Sequence, residues 1–210
     1  MTKEITITVY RFDELSESVK KRLIRKEVEY LQENWDTRDL TEEMKYKIEE
    51  AGFLCVVPYW SLSCCQGDGV AFKFNGIDDE KKFLEEDEVA KLPPNYEFHI
   101  QARIKGRYTH FNSMGWEDRW DVFYKDEEIP EEYQDKSSWE IQDYFNNQYK
   151  DIFEKLIHNI KTKAKELCCE LEKIGYDWIE AETSDETARS YLENRDNWYL
   201  ESGEVIELGS

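Results

Sequence analysis

Two short motifs concentrate the residue types that do chemistry. In Gln66-Gly67-Asp68-Gly69 a pair of glycines around an Asp can expose backbone amides beside one carboxylate, an arrangement suited to a ligand or a metal ion. The same residues equally describe a hairpin turn whose Asp bonds its own backbone. In Gly106-Arg107-Tyr108-Thr109-His110, Arg107 offers a planar anion-binding fork, Tyr108 a stacking face with a hydroxyl, and His110 a nitrogen that titrates near neutrality. If this segment runs as a strand, Tyr108 and His110 share one face and Arg107 takes the other. Were the two motifs to adjoin, Asp68 could orient His110 for general-base work or metal binding; a histidine held by an ordinary hydrogen bond is the plainer alternative. Trp60, Phe72, Trp116 and Trp120 would frame a stacking pocket for a base or a partner side chain, or else fill the core.

Other catalytic signatures are missing from the chain. It has no Gly-x-Ser-x-Gly element, no His-Glu-x-x-His and no dinucleotide fingerprint, and without a lysine and a second glycine-rich element the first motif is not a P-loop. The pairs Cys64-Cys65 and Cys168-Cys169 lack the two-residue gaps of common zinc sites, and His99 and His158 stand alone. No metal, cofactor or catalytic residue is therefore assigned, and the expectation leans away from an enzyme. Adjacent cysteines are poorly placed for a relaxed disulfide, which favours a reduced, cytoplasmic protein.

The elements that must position these motifs follow from periodicity. Ile5, Ile7 and Val9 alternate with threonines as a short strand, and a helix capped by Asp13 or Ser16 follows through Leu15, Val19, Leu23, Val28, Leu31 and Trp35. Thr41-Glu42-Glu43-Met44 resembles a second helix start, with Gly52 ending that helix. Residues 54–63 and 70–74 read as the arms of a hairpin around the first motif, with Pro58 marking an edge or a bulge. An acidic, helical excursion occupies 78–92. Tyr96 to Ile104 alternates apolar and polar as a strand with one wet face, and Gly106 would turn into a next strand at 107–110. From Ser138 the period lengthens to three and four. Tyr149, Ile152, Phe153, Leu156, Ile160, Leu167, Leu171, Ile174 and Trp178 form one stripe that Gly175 interrupts. A capped helix at Thr183-Ser184-Asp185-Glu186 and a hairpin around Ser202-Gly203 complete the chain. This order predicts one α+β domain over 1–210, β-rich through 135 and helical from 136, with an antiparallel sheet, helices packed on one face and a long C-terminal helix.

Composition narrows the class of partner. The chain has 210 residues, with 48 acidic against 28 basic side chains, a net charge of −20. Its 7 Trp, 13 Tyr and 10 Phe are far too many for a disordered acidic tail. No basic region followed by an apolar run opens the chain, and no stretch approaches the roughly 20 apolar residues of a membrane span. Such a charge repels nucleic acid and anionic lipid, and suits a protein that occupies a basic surface, including another protein's nucleic-acid-binding surface. Acidity that merely keeps the chain soluble is the bland alternative. Lys20, Lys21, Arg22, Arg25 and Lys26 form one dense basic segment, most simply a solvated helix face.

The residues also resemble a family. Val9-Tyr10-Arg11-Phe12-Asp13-Glu14-Leu15-Ser16 is similar to the opening of a phage and prophage accessory-protein family. Trp60-Ser61-Leu62-Ser63-Cys64-Cys65-Gln66-Gly67-Asp68-Gly69-Val70-Ala71-Phe72 resembles its W-S-Q-G-D-G-A-x-F signature with a short expansion at the cysteines. Gly106-Arg107-Tyr108-Thr109-His110 is similar to its G-R-Y-x-H, and Thr183-Ser184-Asp185-Glu186-Thr187 through Asn194 and Gly203 to its ending. Some members carry the label of antitoxin in a toxin–antitoxin stability system. The resemblance implies a phage-borne protein that works in the host cytoplasm by binding a host or defence component.

Two expectations of function follow. The first is a non-catalytic inhibitor, such as an anti-CRISPR, or an antitoxin, that neutralises a basic host or defence protein. Its interface would use Asp78, Asp79, Glu85, Glu86, Asp87 and Glu88 in one acidic run, and Glu117, Asp118, Asp126, Glu127 and Glu128 in another. The second is a pocket that sequesters or cleaves a nucleotide-like molecule, lined by Gln66, Asp68, Arg107, Tyr108 and His110 with Trp60 or Phe72 stacking. Direct nucleic-acid binding is disfavoured by charge. A homodimer through the long 138–178 stripe and a buried bundle face would leave the same pattern.

Overall fold

The structure, a computed structural model, describes residues 6–34, 36–62 and 68–206. Ile5, Trp35 and the turn residues Cys64, Cys65, Gln66 and Gly67 lie outside the described residues. The fold is α+β and forms two compact units, Asp39–Ile174 and Met1–Arg38 with Gly175–Ser210.

In the unit Asp39–Ile174, the helix α2 (Arg38–Glu50) ends at Gly52, whose φ of +94° lets the chain reverse so that the Phe53 amide reaches the Ile48 carbonyl. A four-stranded antiparallel sheet follows in chain order, β1 (Val57–Ser61), β2 (Gly69–Asn75), β3 (Tyr96–Ile104) and β4 (Met114–Val122). The hairpin register pairs Ser61 with Gly69 and Val57 with Lys73, and β1 is an edge strand, where Pro58 costs no ladder bond on a second neighbour. Between β2 and β3 the acidic excursion forms a 3₁₀ turn, Glu80–Phe83, and a one-turn helix α3 (Glu86–Val89) instead of one helix, because Leu84 between them is extended.

One face of the sheet carries Val70, Phe72 and Phe74, then Phe98, Ile100 and Ala102, then Trp116 and Trp120. Helices cover this face. Trp60 donates its indole N–H to Thr41 of α2 at 3.1 Å, and Phe153 of the long helix α4 (Ser138–Glu182) stacks on Trp120 at 4.4 Å and on Phe98 at 6.1 Å. Phe53, Phe72 and Phe74 meet edge to face or tilted within 5.9 Å of one another, an arrangement favoured by the ring quadrupoles. The opposite face of β3 and β4 presents Glu97, His99, Gln101, Arg103, Glu117, Arg119 and Asp121.

β4 lies in a stretch where periodicity predicts nothing, because Asp118 occupies an inward position opposite Ile100. It stays exposed there, and its carboxylate reaches Lys161 of α4 at 3.4 Å. The expected strand at 107–110 is absent. Gly106, at φ +95°, and a 3₁₀ turn at Phe111–Ser113 reverse the chain, and Lys105 donates to the Ser113 carbonyl at 2.7 Å. Gly175 does not interrupt α4 either: it is buried, and the helix runs on through it to Glu182.

The second unit holds α1 (Glu17–Asn34), the last turns of α4, α5 (Asp185–Asn194) and a small hairpin of β5 (Trp198–Tyr199) and β6 (Val205–Ile206). Ser184 caps α5 as the capping pattern predicts, its Oγ accepting from the Thr187 amide at 3.1 Å. The expected opening strand shrinks to one bridge, Tyr10 with Tyr199, through bonds of 2.8 and 2.9 Å. Phe12, Leu15, Ile24, Leu31, Ala188, Leu192 and Tyr199 form its core. Arg195 clasps the buried carboxylate of Glu27 through two bonds of 2.6 and 2.7 Å, and Arg11 lies 3.9 Å over the Trp198 ring.

Candidate binding surfaces

The two chemical motifs meet at Gly69. This residue opens β2 with a φ of +146°, and a side chain built on it would lie 3.0 Å from the Thr109 carbonyl oxygen and 3.3 Å from the His110 Cβ. Only a glycine lets the two backbones approach so closely. Glu172 of α4 reaches the same spot, its Oε2 3.5 Å from that position; a solvent-facing slot on a long helix gave it no signal in the sequence. Around this junction Arg107 lies 5.5 Å from the Tyr108 ring, and Tyr108 stacks on His110 at 6.2 Å with 15° between planes. Asp68 accepts from Ser61 Oγ at 2.7 Å and so ties the two arms of the hairpin together. The Thr109 hydroxyl is buried and has no hydrogen-bond partner among the described residues. Cys168, one turn before Glu172, has its thiol pushed up to about 12 by burial, so it is no nucleophile at neutral pH.

Of the aromatic frame predicted for this site, Phe72 is core, whereas Trp60, Trp116 and Trp120 are half-buried. Phe72 is fully buried against Phe53, so the stacking role assigned to it is corrected: no ligand can reach its ring. Trp120 is taken up by Phe153, and Trp116 packs on Phe74 at 5.7 Å and Phe111 at 6.0 Å. Among the described residues no group of three or more His, Cys, Asp or Glu is placed to hold a metal ion.

The two acidic runs fare differently. In the first, structure consumes much of the charge. Asp78 pairs with Lys82 at 2.6 Å, Asp79 accepts from the Lys81 amide, and Asp87 pairs with Lys91 at 3.3 Å. Glu88 is corrected outright as a partner-binding residue: it is 6% exposed and its carboxylate is held by Lys155 and by the Glu85 amide. Glu85 and Glu86 remain exposed. In the second run Glu117 accepts from Gln101 at 2.5 Å and Asp118 pairs with Lys161. Beyond them Asp126, Glu127, Glu128, Glu131, Glu132 and Asp135 are all exposed, and none forms an ion pair among the described residues. This segment carries two 3₁₀ turns, Asp126–Glu128 and Glu131–Tyr133, and leads straight into α4, where Trp139 stands exposed.

The basic segment of α1 is partly neutralised. Lys20 pairs with Glu17 at 3.1 Å, Arg25 with Glu29 at 3.9 Å, and Arg22 donates to the Ser202 carbonyl. Among the described residues no helix is long and apolar enough to cross a membrane. No family model, no curated protein and no solved structure matches the chain.

Proposed function

We propose that this is a phage-borne acidic accessory protein that binds and neutralises a basic host or defence protein in the host cytoplasm, as a counter-defence inhibitor or an antitoxin, without catalysis. The observation that carries it is the uncompensated charge of 126–135, six exposed carboxylates without ion-pair partners beside an exposed tryptophan. Carboxylates already paired with a cation of the chain add little to a partner's affinity, whereas those without an ion pair steer a basic surface from a distance and meet it without displacing one; Glu128 also accepts from the Lys125 amide at 2.9 Å and stays exposed. A total charge of −20 extends that steering beyond the contact itself.

The test reverses Asp126, Glu127 and Glu128 together to Lys. Capture of a stoichiometric host protein by the wild-type chain should weaken at least tenfold in the variant, and salt should weaken the wild type far more than the variant. Equal capture by both chains at all salt concentrations would remove this face from the interface.

The meeting of the two motifs at Gly69 favours a second reading, a small anionic ligand held by Arg107 and His110 beside Asp68. Arg107→Ala should then abolish ligand retention with the fold intact. If the purified chain retains no nucleotide and Arg107→Ala leaves host-protein capture unchanged, the junction is structural.

A further inference from the structure

Trp139 is 71% exposed, the highest value among the exposed large hydrophobic side chains of the described residues. A tryptophan held out in water marks a contact waiting to be made. It lies on a groove of about 470 Å³ between the 3₁₀ turn Glu131–Tyr133 and the first turns of α4. Tyr133 and Tyr144 form its second wall, their rings 4.4 Å apart, and Tyr144 is braced in turn by Phe145 at 5.2 Å. The wall is therefore rigid before any ligand arrives.

The charge lining this groove is one-sided. Glu132, Glu140 and Asp143 face Lys136 alone, and none of the three carboxylates makes an ion pair among the described residues. Two are already oriented: Glu140 accepts from the Ser137 amide and hydroxyl at 3.0 and 2.6 Å, and Asp143 accepts from Asn147 at 3.0 Å. The Ser137 bonds hold the Glu140 carboxyl below its usual range, so it stays charged through neutral pH.

Aromatic faces beside fixed carboxylates select a cation, and a flat one above others. A guanidinium stacks on an indole or phenol ring while its edge donates paired bonds to a carboxylate; an ammonium, more strongly hydrated, does neither as well. The geometry points to this groove as the seat of an arginine side chain on an extended segment of the basic partner. The inference rests on the acidic-face proposal above and gives that face its anchor.

The test titrates the full chain with acetyl-(Gly-Arg)₃-amide and with its lysine counterpart, by calorimetry at low salt. The arginine peptide should bind about fivefold tighter than the lysine peptide, and Trp139→Ala should erase that preference while salt-sensitive binding of both persists. Trp139→Phe should keep part of the preference. Equal binding of the two peptides, or a preference untouched in Trp139→Ala, overturns the arginine seat and leaves the acidic face standing. Failure of both peptides to bind overturns both. Self-association of the wild-type chain that Trp139→Ala abolishes would assign the groove to a second copy and overturn the seat as well.

Discussion

Gly69 shows how a single residue type settles what a motif does. Its φ of +146° and the Thr109 carbonyl at 3.0 Å from a would-be Cβ combine two penalties for any side chain, backbone strain and a tight contact with a backbone oxygen. Gly69→Ala should cost about 2 kcal/mol of stability, read as a shift of the urea midpoint at unchanged slope. A shift of only a few tenths would mean that the backbones do not approach so closely. Asp68 beside it bonds to Ser61 across the hairpin, which is the turn-closing role that the motif's composition allowed as the alternative to ligand binding.

At the scale of elements, α3 is too short to persist alone and is held to α4 by one ion pair. Lys155 comes from α4, and Glu88 lies buried in α3, its carboxyl kept below the usual range by Lys155 first and then by the Glu85 amide. A carboxyl whose folded value is depressed stabilises the protein above its ordinary value of 4.5, and that contribution is lost as pH falls through the lower folded value. Glu88→Gln should thus lower stability at pH 7 and flatten its loss as the pH is taken below the ordinary value of 4.5, followed by thermal unfolding over that descent. An acid limb identical to wild type would show the pair to be dispensable. The pair could not be read from the sequence, because Glu88 sits among equally acidic neighbours and its partner is far along the chain.

For the molecule as a whole, a net charge of −20 is a standing self-repulsion, to which the carboxylates of 126–135 contribute without an ion pair among the described residues. Reversing Asp126, Glu127 and Glu128 should therefore raise the melting temperature at low salt by a few degrees even as it weakens partner binding, and about 0.5 M salt should remove most of the difference. A variant that loses both stability and binding would show that these carboxylates support the fold. Opposite signs for stability and for binding are what separates a surface kept for a partner from one kept for the chain itself.

Elements whose own residues announce their environment were legible at once. β3 alternates cleanly because one of its faces is wet, α4 shows its period over many turns, and Ser184 caps α5 through a bond to its own neighbour Thr187. These are local consequences of strand and helix geometry. β4 hid because Asp118, exposed and paired with Lys161 of a distant helix, breaks the alternation on the face that Trp116 and Trp120 share; the meeting of the two motifs hid because it depends on β2 and the β3–β4 connection lying side by side. The α+β class, the long helix and the acidic, aromatic character of the chain follow from residue order alone. Which carboxylates are spent on internal partners and which tryptophan remains in water depends on the folded chain, since pairing and exposure are properties of distance in space and the chain orders residues only along its length.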